Sequence, residues 1–202
     1  MKEQIHPTDQ AAFWESRYRH QQTGWDLGTV SPPMKILIEQ FRPTHAPLKV
    51  LVPGAGFGHE AAFLLHCGYQ HVTVLDLAAS PLQHLRDTLD AAATGPMNLI
   101  QENFFRHEGC YDLILEQTFF CALHPDHRPA YARHMAALLN PGGLLAGVLF
   151  NRTFEHNPPF GGSVPEYESL LMPYFRFLRW EACPCSHPAR TGTEWWMILQ
   201  KK

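Results

Sequence analysis

The chain has 202 residues, a length typical of one domain, and 45% of them are hydrophobic. Its 16 lysine and arginine residues against 19 aspartate and glutamate residues give a net charge of −3. An evenly mixed, mildly acidic chain does not favour nucleic acid or an anionic membrane as a partner, because both attract dense basic patches. The longest apolar run, 144–150, is far shorter than the ~20 residues that cross a bilayer, and the first residues lack the apolar stretch of a secretory signal. Five cysteines, an odd number, predict reduced thiols and a cytoplasmic location.

Short apolar bursts alternate along the chain with segments of helical periodicity, which is the pattern of a parallel α/β sheet. The predicted strands are 48–52, 71–76, 98–101, 111–115 and 144–150, followed by a terminal pair at 175–182 and 195–200. The predicted helices are 9–21, 33–41, 60–67, 80–92, 126–139 and 166–171. We therefore predict one doubly wound α/β domain with a terminal hairpin at one edge of its sheet and an N-terminal helical lid.

A glycine-rich loop follows the first predicted strand: residues 54–58 read Gly-Ala-Gly-Phe-Gly. Asp76 ends the next strand 22 residues beyond Gly54, the spacing at which a carboxylate accepts hydrogen bonds from a ribose. A dinucleotide loop has a third glycine at the position that His59 occupies here. The pattern therefore favours S-adenosylmethionine (SAM), which has no pyrophosphate, and leaves an NAD(P)-dependent oxidoreductase as the alternative. An acid is usual two residues before the first glycine of a SAM site, and Val52 stands there instead.

Further segments carry a resemblance to one family. These segments are WESRY (14–18), TGWDLG (23–28), LVPGAG (51–56), YDLILEQTFFCAL (111–123), PPF (158–160) and EYE (166–168). Together they resemble the thiopurine S-methyltransferase family of SAM-dependent enzymes, including its plant-type thiol and halide methyltransferases, from about Trp14 to the C-terminus. The resemblance implies a Rossmann-like class I methyltransferase with a seven-stranded, mostly parallel sheet, helices on both faces and an antiparallel last strand. It divides the single domain, 1–202, into a lid (1–45), a cofactor-binding core (46–150) and a substrate loop with the C-terminal hairpin (151–202).

The resemblance also implies which residues contact the cofactor SAM. They are Trp14, Tyr18, Trp25, Gly54, Gly56, Asp76, Asn103, Phe104 and Gln117. Three of these depart from the family pattern: Tyr18 stands where tryptophan is common, Asn103 where aspartate is common, and Gln117 where tyrosine is common. Aromatic rings suit a sulfonium cation because they attract its charge without acting as nucleophiles. By periodicity alone, the same aromatic residues also fit the core of an N-terminal helix.

The implied acceptor is a small soft nucleophile, first of all the sulfur of a thiol or thiopurine, with halide or thiocyanate as the alternative and tellurite also compatible. Methyl transfer is an in-line displacement, so the enzyme mainly positions the reactants. Arg152 is the candidate for holding an anionic acceptor, and Arg190 is a weaker one. The competing interpretation of either arginine is a solvated surface side chain.

Two further motifs invite other functions. The Asn-Pro-Pro-Phe run at 157–160 matches a signature of nitrogen methyltransferases, but it follows the fifth strand rather than the fourth, so we interpret it as a loop near the substrate. Cys183-Pro-Cys185 suggests zinc, but no second pair of ligands stands at matching spacing, so we predict no metal. A SAM-binding module without catalysis is the third class considered. We expect a monomer or a weak dimer.

Overall fold

The computed structural model describes residues 6–43, 47–89 and 97–202, and its centre is one seven-stranded sheet. The strands are β1 (Lys49–Pro53), β2 (His71–Asp76), β3 (Met97–Gln101), β4 (Tyr111–Gln117), β5 (Leu139–Phe150), β6 (Phe175–Ala182) and β7 (Glu194–Lys201). Their order in the sheet is β3-β2-β1-β4-β5-β7-β6. Strand β7 runs antiparallel between β5 and β6, while the pairs from β3 to β5 are parallel. The predicted sheet, with its antiparallel last strand and terminal hairpin, is confirmed.

Helices cover both faces of this sheet. They are α1 (Ala11–Arg19), α2 (Pro32–Gln40), α3 (His59–His66), α4 (Ala79–Thr88), α5 (Arg128–Leu138) and α6 (Val164–Leu171). Along β1, Val50 and Val52 pack with α2, α3 and α4, whereas Leu51 packs with α5 and α6. Successive side chains of a strand point to opposite faces, so a strand covered on both sides is apolar throughout. The unbroken apolar run of β1 follows from this position.

The carboxyl ends of the parallel strands meet at one edge of the sheet. Pro53 of β1 lies opposite Leu75 of β2, so the glycine loop and Asp76 are neighbours. On the other side of β1, strand β4 ends at Gln117 beside Val148 of β5. The strand order reverses between β1 and β4, and a doubly wound sheet opens its ligand crevice at such a reversal.

Most predicted boundaries differ from the structure by one or two residues, and three differences have a clear structural cause. The first helix is split, because residues Pro7–Asp9 form a separate 3-10 turn ahead of α1. Residues Pro125–His127 form another such turn, so α5 begins at Arg128. Strand β5 begins at Leu139 rather than 144, because Leu139 already pairs with Tyr111 of β4, ahead of a bulge over residues 140–143. The end of the predicted helix 80–92 lies outside the described residues. None of the described helices is long and apolar enough to cross a membrane.

Candidate active site

The glycine loop turns sharply between β1 and α3. Gly54, Gly56 and Gly58 all have positive φ angles, between +54° and +76°, a region that side chains other than glycine rarely adopt. A Cβ atom at Gly54 would lie 2.2 Å from the ring of Phe119. The loop therefore requires glycine both for its backbone conformation and for the close approach of the aromatic ring.

Asp76 is the buried acid beside this loop. Its Oδ2 accepts a hydrogen bond from the backbone N–H of Gly56 at 3.1 Å, and its Oδ1 accepts one from Ala78 at 2.9 Å. Burial raises the pKa of Asp76 to about 6, although these backbone hydrogen bonds act to lower it. A carboxylate has about four acceptor sites, so Asp76 retains capacity for the hydroxyls of a ligand. The side chain thus fixes the glycine loop and also lines the cavity next to it.

Three aromatic residues from the N-terminal segment meet above the loop. Trp25 packs edge-to-face against Trp14 and Tyr18, with ring centroids 5.7 and 5.8 Å apart. Tyr18 also contacts Phe57 of the glycine loop at 5.4 Å. The indole N–H of Trp14 donates to the carbonyl of Thr8 at 2.9 Å. The structure thus brings the three predicted aromatic residues together at the site.

Helix α1, which carries Trp14 and Tyr18, has no buried residue of its own. Its position depends on Glu15, whose carboxylate accepts hydrogen bonds from the backbone N–H groups of Ala79 and Ser80 and from the Ser80 hydroxyl. Burial acts to raise the pKa of Glu15, but these hydrogen bonds outweigh it and lower the pKa. Glu15 therefore anchors the lid to the first turn of α4.

A cavity of about 1010 Å³ lies between the aromatic residues and the sheet edge. Seven of the nine predicted cofactor residues line it: Trp14, Tyr18, Trp25, Gly54, Asp76, Asn103 and Phe104. Gly56 and Gln117 line a smaller adjoining recess instead. The Gln117 Oε1 atom accepts a hydrogen bond from the Ser31 hydroxyl at 2.8 Å, and Thr118 and Phe119 extend from β4 into the cavity. For all nine residues, contact with the cofactor stays a prediction.

The side chain of Asn103 fixes the turn that follows β3 at the cavity wall. Its Oδ1 accepts from the N–H of Phe105 at 2.9 Å and caps the 3-10 turn Phe104–Arg106. The ring of Phe104 lies edge-on to Phe119 at 5.0 Å. These contacts place an amide and an apolar ring side by side on the cavity wall.

The two candidate arginines differ in their surroundings. Arg152 is exposed at the cavity wall, lies 4.6 Å above the Phe154 ring, and forms no ion pair with the described carboxylates. Arg190 is buried and donates to the carbonyl of Trp25 at 2.6 Å, while its other arm lies 3.4 Å from Glu194. The interpretation as a solvated surface side chain is therefore wrong for Arg190, which holds the lid in place. Pro158 and Pro159 line the cavity, in agreement with a loop near the substrate.

Sequence reasoning missed several residues that line the cavity. The missed basic and aromatic residues are Arg17, Phe105, Arg106, Phe119, His127, Arg133, His134, Phe150 and Phe154. Three of them, with Ala130, follow the i, i+3, i+4 spacing of one helix face across the start of α5. That spacing is visible in the sequence and indicates a shared face, but periodicity alone does not show that the face borders a cavity.

Three residues near the cavity mouth have the donor set of a metal site. Ligand atoms of His6, His124 and Asp126 lie within 4.8 Å of one another. The rings of His6 and His124, however, are stacked at 3.5 Å with only 10° between their planes. Since an imidazole binds a metal ion in the plane of its ring, two parallel stacked rings do not share one ion.

The fold and the position of the cavity define a class I methyltransferase. A solved methyltransferase of Burkholderia thailandensis, which N1-methylates 1,6-didemethyltoxoflavin, superposes with a TM-score of 0.75 at 22% identity over 100% of this chain and 93% of its own. TehB from Haemophilus influenzae superposes with a TM-score of 0.68 at 18% identity, over 95% of this chain and 67% of TehB. The model of the family described as thiopurine S-methyltransferase (TPMT) matches residues 9–196, so the chain belongs to this family.

Individual relatives agree with this membership. The chain is 31% identical to thiocyanate methyltransferase 1 of Arabidopsis thaliana, over 94% of this chain and 85% of the relative. It is 30% identical to thiopurine S-methyltransferase of Pseudomonas paraeruginosa, over 79% of each. The chain is thus a SAM-dependent methyltransferase, as the resemblance predicted, and not an NAD(P)-dependent oxidoreductase.

The residues of the cavity fit this cofactor. A buried carboxylate at the end of β2 stands next to backbone N–H groups of the glycine loop, and aromatic rings face the same space. A volume of about 1010 Å³ is at the upper end of the range for ligand pockets, roughly 300–1,000 Å³. The site has room for a cofactor and an acceptor together.

Proposed function

We propose that the protein transfers the methyl group of SAM to the sulfur of a small thiol that reacts as its anion. The observation that carries this proposal is the state of the charged groups around the cavity. Its three lining acids are all engaged: Asp9 accepts from His127, Asp76 accepts from Gly56 and Ala78, and Glu102 accepts from His107. Arg152 forms no ion pair within the described part of the chain. A site with free cations and engaged carboxylates favours an acceptor that is already an anion.

When bound, SAM supplies a methyl group on a positively charged sulfur that is open to displacement. The rings of Trp14, Tyr18 and Trp25 stabilise that charge and exclude water from the site. Asp76 accepts hydrogen bonds from the ribose hydroxyls, and the backbone of the glycine loop sets the depth of the cofactor. In-line displacement needs alignment above all, and well-oriented reactants gain up to ~7–11 kcal/mol from it.

On the acceptor side, Arg152 attracts the thiolate and lowers the cost of ionising the thiol. His134 lines the same cavity, and its buried Nε2 has no hydrogen-bond partner in the described structure. Burial lowers the pKa of His134, so the imidazole is neutral near pH 7 and suited to take the proton of a neutral thiol.

Thiocyanate or a halide is the alternative acceptor, and it is supported by the thiocyanate and thiol methyltransferases among the relatives. The decisive experiment measures methyl transfer from labelled SAM to 2-mercaptoethanol, 6-mercaptopurine, thiocyanate and iodide. We expect turnover of the thiols, and Arg152→Ala should raise KM for them about tenfold while the affinity for S-adenosylhomocysteine is unchanged. Arg86→Ala, at an exposed position on α4, is the matched control. Intact binding of S-adenosylhomocysteine with no thiol methylated would contradict the proposed acceptor.

The variant His134→Gln separates the two acceptor classes. Thiocyanate and iodide carry no proton to remove, so their kcat/KM should not change. For 2-mercaptoethanol, an alkyl thiol that is mostly protonated at pH 7, loss of a general base should lower kcat/KM about 100-fold, since such catalysis contributes roughly 10²–10⁴-fold. An equal loss for all four acceptors would instead assign His134 a structural role.

The proposal also covers the roles of the segments of the chain, its cellular location and its oligomeric state. The predicted lid (1–45) is narrowed to the segment that carries α1 and Trp25, because Met34, Leu37 and Ile38 of α2 are fully buried in the core against β1. Residues 151–202 supply the acceptor loop and the hairpin. All five cysteines are free, which supports a cytoplasmic location. We expect a monomer or weak dimer by size-exclusion chromatography with light scattering, and a stable larger assembly would contradict this expectation.

A further inference from the structure

Two cysteines lie side by side just beyond β6, outside the cavity. The sulfur atoms of Cys183 and Cys185 are 3.9 Å apart, and both thiols are free. In the described part of the chain, no third histidine, cysteine, aspartate or glutamate completes a cluster with them, so the pair lacks the coordination of a structural zinc site. The methyl-transfer chemistry does not use these thiols.

The backbone already holds the two residues within the reach of a disulfide. Cα atoms two positions apart are separated by at most about 7 Å in an extended chain, and disulfides join Cα atoms up to about 6.8 Å apart. Closing the sulfur distance from 3.9 Å to about 2.05 Å takes side-chain rotation at each cysteine and a small local shift. Cys185 is half-buried and offers the more accessible sulfur of the pair, while Cys183 is buried. Of the remaining cysteines, Cys67 and Cys121 are buried and Cys110 is exposed.

We propose that Cys183 and Cys185 form a reversible disulfide with hydroperoxides or small disulfides as the oxidants, and that the oxidised protein binds its cofactor more weakly. Two S–H bonds break and one S–S bond forms, and two electrons and two protons pass to the oxidant. A hydroperoxide ROOH becomes ROH and water, and a disulfide RSSR becomes two RSH. A thiol such as dithiothreitol reverses the reaction by exchange.

Contiguous contacts link the cysteine pair to the lid. The backbone N–H of Cys183 donates to the carbonyl of Glu194 at 2.9 Å, which joins the pair to the first residue of β7. The carboxylate of Glu194 lies 3.4 Å from Arg190, and Arg190 donates to the carbonyl of Trp25 at 2.6 Å. A shift of Cys183 on oxidation therefore acts on the contact that holds an aromatic residue of the cofactor site.

The surroundings of Cys185 determine the pH at which the oxidation should be measured. Burial, together with the neighbouring Cys183, raises the pKa of Cys185 to about 11. Because the thiolate is the reactive form, disulfide formation should accelerate about tenfold per pH unit between pH 7 and 9. Arg179 and Glu194 are the charged groups that act on Cys185, and their effects oppose each other.

The test oxidises the full chain with hydrogen peroxide or oxidised glutathione, blocks the remaining thiols by alkylation, and maps the tryptic peptide 180–190. This peptide contains both cysteines and no other. We expect a peptide without alkyl groups that is about 2 Da lighter than the dithiol form. After reduction with dithiothreitol and renewed alkylation, the same peptide should carry two alkyl groups. Oxidation confined to Cys110, with the peptide still doubly alkylated, would overturn the proposal. Cys185→Ser and Cys183→Ala should each abolish the lighter species, so failure of one variant to fold leaves the other as the test.

The proposal also states that the oxidised protein binds its cofactor more weakly. Calorimetry tests this by measuring the Kd for S-adenosylhomocysteine before and after oxidation. Oxidation should raise Kd about 5- to 10-fold, reversibly, a change equivalent to loss of one hydrogen bond of the lid. Cys185→Ser should show no response to the oxidant, and Cys110→Ser should respond like the wild type. Disulfide formation with an unchanged Kd would overturn the link to the lid. If the reduced protein does not bind S-adenosylhomocysteine, the assignment of SAM as the cofactor is wrong. This result is independent of whether the disulfide forms.

Discussion

Arg190 donates a hydrogen bond to the backbone carbonyl of Trp25, 165 positions earlier in the chain, at 2.6 Å. The guanidinium also lies near Glu194 and 5.4 Å from the centre of the Phe150 ring. One buried cation therefore joins the lid, the start of β7 and the end of β5. The forked geometry of arginine allows this, because its donors point in different directions.

Arg190→Lys tests this contact while keeping the charge. A lysine ammonium does not reproduce the two-sided contact, so Trp25 should lose its anchor while Glu194 keeps a cation. We expect the Kd for S-adenosylhomocysteine to rise about tenfold, which corresponds to ~1.4 kcal/mol, with the fold intact by circular dichroism. The exposed Arg176→Lys is the matched control and should bind like the wild type. An unchanged Kd in Arg190→Lys would show that the lid does not depend on this bond.

Glu15 gives the second prediction, because it ties α1 to the first turn of α4. Glu15→Ala removes an interaction of the capping type, worth ~0.5–2 kcal/mol. Helix α1 buries none of its residues, so this loss should free the lid more than it destabilises the core. Calorimetry should therefore show weaker binding of S-adenosylhomocysteine with a small change in Tm. Glu39→Ala, an exposed substitution on α2, is the control, and a large fall in Tm without loss of affinity would contradict the assignment.

Asp76 predicts how cofactor binding depends on pH. Ribose hydroxyls donate to the ionised carboxylate, and the pKa of Asp76 in the free protein is about 6. Affinity should therefore be constant above pH 7 and fall about tenfold per pH unit well below pH 6. Titrations with S-adenosylhomocysteine between pH 5 and 8 measure this directly. Asp76→Asn should bind weakly with no such dependence, and a flat profile for the wild type would argue against the contact.

The sequence predicted the sheet, the glycine loop and its acid, because these depend on local patterns. Apolar bursts mark strands buried on both faces, and glycine marks positive φ angles such as that of Gly54. The roles of Arg190 and Glu15 did not follow from the sequence, since their partners lie 165 and 64 positions away. The early start of β5 was also missed, because Pro-Gly-Gly is typical of a turn. Leu139 pairs with Tyr111 of β4, residues 140–143 bulge out of the pairing with Gly142 at a φ of +75°, and pairing resumes at Leu144.

Glu116, at the end of β4, carries the last prediction. It is fully buried: Oε1 accepts from the backbone N–H groups of Phe119 and Phe120, and Oε2 accepts from the Tyr131 hydroxyl at 2.6 Å. These bonds shape the loop that contributes Thr118 and Phe119 to the cavity wall. Burial raises the pKa of Glu116 to about 7, although the hydrogen bonds act to lower it.

Because the folded protein holds this proton more tightly than the unfolded chain, whose glutamates titrate near pH 4.5, Glu116 makes stability fall as pH rises from about 4.5 through 7. Glu116→Gln keeps an acceptor for the two N–H groups and carries no charge. It should match the wild-type Tm at pH 5 and exceed it at pH 8. Glu116→Ala leaves three buried donors without an acceptor, each costing ~1–3 kcal/mol, and should be destabilised at every pH. If the glutamine variant were less stable than the wild type at pH 8, the ionised carboxylate would have to stabilise the native protein, contrary to the raised pKa of Glu116.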